Sequence, residues 1–212
     1  MFREHIMGFG TLFRLANLLT LLRLFLIPPF IFCFQANMMR SALTIFAVAA
    51  LTDNLDGKIA RRQGVTGFGK FMDPLADKLL IGASLFCLAL FKRVDGGLIP
   101  LWMVLVIIGR EVLVTLLRVV FIAKYGQVVS ASQWGKYKMT SQLIVVIIAL
   151  VLLAFQDYLN ATLIVQSRGP IYFMMYVPLV LTVGSGVEFL VNNRKSLFAL
   201  VHATRYDPEA GA

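Results

Sequence analysis

Four aspartates stand where acids are costly. Asp53 and Asp56 lie three apart near the end of one apolar stretch, and Asp73 and Asp77 lie four apart at the start of the next. Both spacings put the pair on one face of a helix. Ionisable groups at the edge of hydrocarbon cost several kcal/mol and mark function. Four carboxylates brought together repel one another unless cations neutralise them. Hard oxygen donors with no His or Cys among them favour Mg²⁺, Mn²⁺ or Ca²⁺ over zinc. Two such ions, about 3.5–4 Å apart, clamp a phosphoryl group and stabilise its attacking and leaving oxygens. The neighbours suit that chemistry: Gly57 lets a bulky ligand approach, Arg61 lies one turn further along the face, and Thr66 offers a hydroxyl.

The elements that must carry these residues are membrane helices. The chain is 59% hydrophobic and 15% charged, against roughly 25% charged for an average soluble domain. Six apolar stretches, about 17–36, 41–60, 74–91, 99–123, 139–156 and 170–191, each approach the roughly 20 residues needed to cross a bilayer. The expected fold is an all-α integral membrane protein of six transmembrane helices, with residues 1–212 forming a single domain. Ahead of the first span, Phe2, Ile6, Phe9 and Phe13 recur among Arg3 and Arg14, as in an amphipathic segment lying in the interface. Pro74, Pro100 and Pro170 fall near predicted helix starts, whereas Pro28, Pro29 and Pro178 fall inside spans and predict kinks. The glycines Gly64, Gly67 and Gly69 predict a hairpin-like turn between the second and third spans.

Charge sets the orientation. Twenty Lys and Arg face eleven Asp and Glu, a net charge of +9. Of the basic residues, twelve fall on the side of the termini and the 58–70 loop, and four (Arg40, Lys92, Arg93 and Arg168) on the other. Both termini and the acidic pairs are therefore expected on the cytoplasmic side of a bacterial inner membrane. The basic residues are dispersed rather than gathered in one domain, which argues against nucleic acid and for anionic lipid and anionic substrates. Cys33 and Cys87 sit in apolar stretches without a CxxC pair and read as packing residues. Trp102 and Trp134 read as interface anchors. A cation- or proton-coupled transporter is the alternative use of membrane carboxylates. Against it, these acids gather at one edge rather than at the midplane, and no inverted repeat is visible.

The stretch Asp53-Asn-Leu-Asp56-Gly57-Lys-Ile-Ala60-Arg61, followed by Gly69-Lys-Phe-Met-Asp73-Pro-Leu-Ala-Asp77, resembles the signature of the CDP-alcohol phosphotransferases, D-x2-D-G-x2-A-R-x8-G-x3-D-x3-D. Every fixed residue is present, with seven residues rather than eight between Arg61 and Gly69. Asn17-Leu-Leu-Thr20-Leu-Leu-Arg23 resembles the family's N-L-x-T-x-x-R opening. Arg110-Glu111 through Arg118, and Gly135-Lys136-Tyr-Lys138 with Gln142, resemble the members that use glycerol 3-phosphate; Met139 stands where those usually have Thr.

The resemblance implies attack of the 1-hydroxyl of sn-glycerol 3-phosphate on the lipid-side phosphorus of CDP-diacylglycerol, releasing CMP. It implies two divalent cations, Mg²⁺ or Mn²⁺, on Asp53, Asp56 and Asp73, with Asp77 completing the site and acting as general base. Asn17, Thr20, Gly57, Arg61 and Thr66 would hold the CDP group. The acceptor phosphate needs its own cationic pocket, for which Arg110, Arg118 and Lys136 are the candidates, with Lys138 beside them. Glu111, seven residues before Arg118, is expected to hold that arginine in place. A homodimer is expected, and other acceptors of the family (phosphatidylglycerol, inositol phosphate, serine) are the near alternatives.

Overall fold

The computed structural model describes residues 15–63, 67–91, 97–125, 133–158, 169–194 and 198; the expected interfacial segment around Phe2–Phe13 lies outside them. These residues form helices α1 (Leu15–Gln35), α2 (Met39–Gln63), α3 (Gly67–Ala89), α4 (Leu101–Tyr125), α5 (Gln133–Ala154), α6 (Pro170–Met174) and α7 (Tyr176–Asn192). Three stretches are long and apolar enough to cross a membrane: Leu18–Gln35, Tyr137–Ala154 and Pro170–Asn192. The fold is all-α and membrane-associated.

Its polarity is reversed relative to a soluble bundle. Phe25, Phe32 and Val180 are exposed, while Thr20, Arg23, Lys138, Gln142, Thr182 and Ser185 are buried. Water would penalise that distribution; lipid favours it. Trp102 and Trp134, at the starts of α4 and α5, are half exposed.

Helix α1 packs on both α2 and α3. The closure runs on through α4 and α7 to α5, which returns to α2 and also touches α3. Small buried residues allow the closest approaches: Ala42 and Ala49 on α2 and Ala76 on α3. At the end remote from the acidic pairs, Phe30, Phe34, Phe46 and Phe91 interlock, with ring centroids 5.7–6.1 Å apart. This aromatic layer continues into Leu85, Leu88, Met103, Ile107 and Leu150.

Several boundaries differ from the sequence expectation. Helix α3 begins at Gly67, so Gly67, Gly69 and Pro74 lie within it, and only residues 64–66 separate it from α2. Helix α5 begins at Gln133, which places Gly135, Lys136 and Lys138 on its first turns. Pro28 and Pro29 sit inside an uninterrupted α1. The break in the last span falls at Met175, between α6 and α7, rather than at Pro178. Proline 178 has no N–H for the carbonyl four residues earlier, that of Met174, and its ring crowds that carbonyl, so the helix yields just ahead of it. Pro170 is the first residue of α6, with Gly169 as its N-cap, as the sequence predicts.

The turn from α3 to α4 depends on one glycine. Gly97 has φ +78°, and a Cβ there would collide with the Ala89 carbonyl. The next residue, Leu98, donates its N–H to Leu88 O at 3.0 Å, so the backbone cannot withdraw without losing that bond. Gly97→Ala is expected to destabilise the fold by more than about 1 kcal/mol, read as a lowered unfolding temperature of the detergent-solubilised protein; an unchanged temperature would show that the turn relaxes.

Candidate active site

Arginine 23 is the most buried charge among the described residues, with no exposed surface, on the face of α1 that also carries Thr20. Its guanidinium spans two helices. Nε donates to Ala49 O on α2 at 3.3 Å, and Nη1 donates to Asp77 Oδ1 on α3. Thr52 Oγ1 donates to the same Ala49 carbonyl at 2.7 Å. One carbonyl and one carboxylate thus fix α1, α2 and α3 to each other.

The signature lies on the helices that this junction joins: Asp53 and Asp56 follow Ala49 by four and seven residues on α2. Asp73 precedes Asp77 by one turn of α3. The side chains of Asp53, Asp56, Gly57, Arg61 and Asp73, together with Asn17 and all of Thr66, lie outside the described residues. Thr20 is buried and Asp77 is partly exposed. Among the described residues no group of three His, Cys, Asp or Glu could hold a metal ion, since Asp77 alone of the four signature aspartates is described. The chemistry of the set, carboxylate oxygens only, fits a hard divalent cation.

A second charged region lies beside the first, between α3, α4, α5 and α7. Lys78, the residue after Asp77, is exposed and donates to Thr115 Oγ1 on α4 at 2.9 Å. Lys138 on α5 pairs with Glu111 Oε1 on α4 at 2.8 Å. The acid therefore reaches across to the neighbouring helix; its partner is Lys138, not the Arg118 that the helical spacing pointed to. Arg110 lies within electrostatic reach of Glu111, Arg118 and Glu188, and Lys138 within reach of Arg110 and Lys78. Gly186 on α7 leaves room for Arg110: a Cβ there would stand 3.4 Å from its Cγ. Four cations thus face two carboxylates, and the buried Nε atoms of Arg110 and Arg118 have no hydrogen-bond partner within the protein. Unpaired guanidinium donors in a protein interior suit an anionic ligand. The Lys136 side chain lies outside the described residues.

Arg110 and Arg118 lie within electrostatic reach of each other on α4, and the structure adds residues to which the sequence reading gave no role. Arg23 stood in the motif without a function, although an arginine so deep in a span needs an acid and Asp77 was available. Gln142, whose Nε2 is buried without a partner, stood in the resembling segment without a role, and Thr182, whose Oγ1 is likewise unpartnered, carried no signal beyond polarity inside an apolar run.

The family model for CDP-alcohol phosphatidyltransferase matches residues 13–184. The chain belongs to this family. It is similar to the CDP-diacylglycerol–glycerol-3-phosphate 3-phosphatidyltransferase of Bacillus subtilis, at 42% identity over 151 residues, covering 64% of this chain and 75% of that one. It is 37% identical over 192 residues to a probable phosphatidylglycerophosphate synthase of Mycobacterium tuberculosis, covering 87% and 84% of the two chains. A transferase of Haemophilus influenzae with the same name as the Bacillus protein is 30% identical over 191 residues, covering 87% and 96%. Membership makes the chain an enzyme, which displaces the transporter alternative. The family uses divalent cations for catalysis.

The Arg23–Asp77 contact generates a direct test. Arg23→Leu leaves the Asp77 carboxylate without its guanidinium and is expected to lower stability by about 1–3 kcal/mol. Arg23→Leu combined with Asp77→Asn should recover part of that loss. Thermal unfolding of the four proteins in detergent measures the coupling, and strictly additive losses would show that the two side chains do not support one another.

Proposed function

We propose that this enzyme transfers the phosphatidyl group of CDP-diacylglycerol to the 1-hydroxyl of sn-glycerol 3-phosphate, giving phosphatidylglycerol phosphate and CMP. The observation that carries the acceptor assignment is the pair of buried, unpartnered guanidinium Nε atoms of Arg110 and Arg118, beside the helix that bears Asp77. A phosphate monoester offers them a dianion, whereas serine offers one carboxylate with an ammonium group beside it and an unphosphorylated polyol offers no charge. The names of the similar transferases from Bacillus and Haemophilus specify the same acceptor.

In the reaction, Arg23 fixes the Asp77 carboxylate, and Asp77 takes the proton from the attacking hydroxyl at hydrogen-bond distance. The hydroxyl oxygen bonds to the lipid-side phosphorus, and the phosphoanhydride bond to CMP breaks. Arg110, Arg118 and Lys136 hold the acceptor phosphate, and Lys138 is committed to Glu111. Asn17, Thr20, Gly57, Arg61 and Thr66 hold the CDP group. Asp53, Asp56, Asp73 and Asp77 would hold two divalent cations, Mg²⁺ or Mn²⁺, which when bound neutralise charge on the phosphoryl oxygens.

The wider setting follows. The chain is one membrane domain over residues 1–212, with six spans and an interfacial N-terminal segment. Both termini and the active site face the cytoplasm of a bacterial inner membrane, and the protein works as a homodimer. Long exposed apolar faces allow the acyl chains of the lipid substrate to stay in the bilayer while its headgroup reaches the acidic end of α2 and α3.

Purified protein supplied with CDP-diacylglycerol, Mg²⁺ and single acceptors should release CMP with glycerol 3-phosphate and not with serine or inositol. CMP released only with another acceptor overturns the assignment. Asp77→Asn should reduce turnover by at least about 10²-fold, the usual contribution of a general base; wild-type turnover would remove Asp77 from that role. Arg118→Ala should raise the apparent KM for glycerol 3-phosphate by about tenfold or more, the worth of one charged hydrogen bond, and leave that for the liponucleotide unchanged. Equal shifts in both would separate Arg118 from the acceptor.

A further inference from the structure

Three buried hydroxyls in this bundle satisfy themselves locally. Thr52 donates to Ala49 O, Ser84 to Leu80 O and Ser185 to Thr182 O, each within its own helix, and half-buried Ser141 does the same to Lys138 O. Gln142 and Thr182 break that pattern. Gln142 is 1% exposed and Thr182 fully buried, yet Gln142 Nε2 and Thr182 Oγ1 have no partner within the protein. An unpaired buried polar group is destabilising, and Leu or Val would fill either position without that cost. Such groups in a folded chain call for a specific explanation.

Their register supplies one. Gln142 follows Lys138 by one turn of α5, and Thr182 precedes Gly186 by one turn of α7. Lys138 is the partner of Glu111, and Gly186 is the residue against which Arg110 lies. Because α5 and α7 pack together, and residues four apart share a helix face, both polar groups border the same charged region one turn deeper in the bundle. Its unpartnered nitrogens, Arg110 Nε, Arg118 Nε and Gln142 Nε2, are all N–H donors. With the Thr182 hydroxyl able to donate as well, these groups are complementary to a ligand that presents acceptor oxygens at that end. A phosphate monoester does so, and an ammonium group cannot.

We infer that Gln142 and Thr182 form the inner wall of the acceptor site and hydrogen-bond the phosphate oxygens of the acceptor alongside Arg110 and Arg118. This rests on the reading of a phosphorylated acceptor above and adds two neutral ligands to it. Neutral donors there read the presence of oxygens without adding further positive charge to a bundle that already carries four cations in this region.

The test uses the full-length protein in detergent, with Gln142→Glu and Thr182→Val, both close in shape to the native residues. Glycerol 3-phosphate should raise the unfolding temperature of the wild type. That stabilisation should disappear in Gln142→Glu, whose carboxylate repels the phosphate, and shrink in Thr182→Val. The apparent KM for glycerol 3-phosphate should rise at least tenfold in Gln142→Glu and about threefold in Thr182→Val, with that for CDP-diacylglycerol within twofold of wild type. Without ligand, Thr182→Val should unfold no earlier than wild type, because it removes an unpaired hydroxyl. Wild-type KM and stabilisation in both variants would overturn the inference while leaving the acceptor assignment intact, as would equal shifts in the two KM values. If Gln142→Glu does not fold, Gln142→Leu and Thr182→Val carry the same comparison. A wild type that used only an unphosphorylated acceptor would overturn both readings.

Discussion

A guanidinium with no exposed surface, set inside an apolar helix, is the constraint from which the rest of this bundle follows. Arg23 cannot rest against lipid, and the groups that satisfy it belong to two other helices, the Ala49 carbonyl on α2 and the Asp77 carboxylate on α3. Removing either partner leaves a charge or a polar group unpaired in a low-dielectric interior. The small residues Ala42, Ala49 and Ala76 let those helices come close enough for the contacts to form. The two helices that carry the acidic signature are those Arg23 ties together, and Asp77 is itself one of the partners.

The second charged region is arranged by a different logic. Where Arg23 is saturated, Arg110 and Arg118 each keep an unpaired donor, and the nearby acids are partly occupied elsewhere, Glu111 by Lys138. Lys78 connects the regions, since it follows Asp77 in sequence and binds Thr115 one turn of α4 beyond Glu111. A saturated pair gives rigidity at the reacting group, and an unsaturated set gives affinity for an anion. The proposed reaction needs one of each.

Much of this was legible in the sequence, for identifiable reasons. The all-α, membrane-associated fold follows from hydropathy because lipid enforces long apolar helices. The metal and base candidates follow from acids placed where acids are costly. Local punctuation was less faithful. Gly67 and Gly69 read as a turn but lie within α3, and a helix in a bundle tolerates the cost of about 1 kcal/mol per glycine when its packing is strong. Pro178 announced a break but not that it would fall at Met175, ahead of the ring. Partner choice between helices was the least legible. Helical spacing paired Glu111 with Arg118, whereas the structure pairs it with Lys138, 27 residues away, because spacing within one helix says nothing about the rotation of its neighbour. Thr182 gave no signal for the same reason, and Gln142 stood in a resembling segment without a role: only packing shows that Gln142 Nε2 and Thr182 Oγ1 lack partners.

The Arg23 junction also bears on how the protein is made. Arg23 emerges from the ribosome 54 residues before Asp77, so α1 enters the bilayer before its counter-charge exists. An arginine in an isolated span is costly to insert, and α1 is otherwise apolar enough to bear that cost. Its contact with Asp77 forms only when α3 arrives, so one carboxylate of a later helix fixes how an earlier one sits in the bundle.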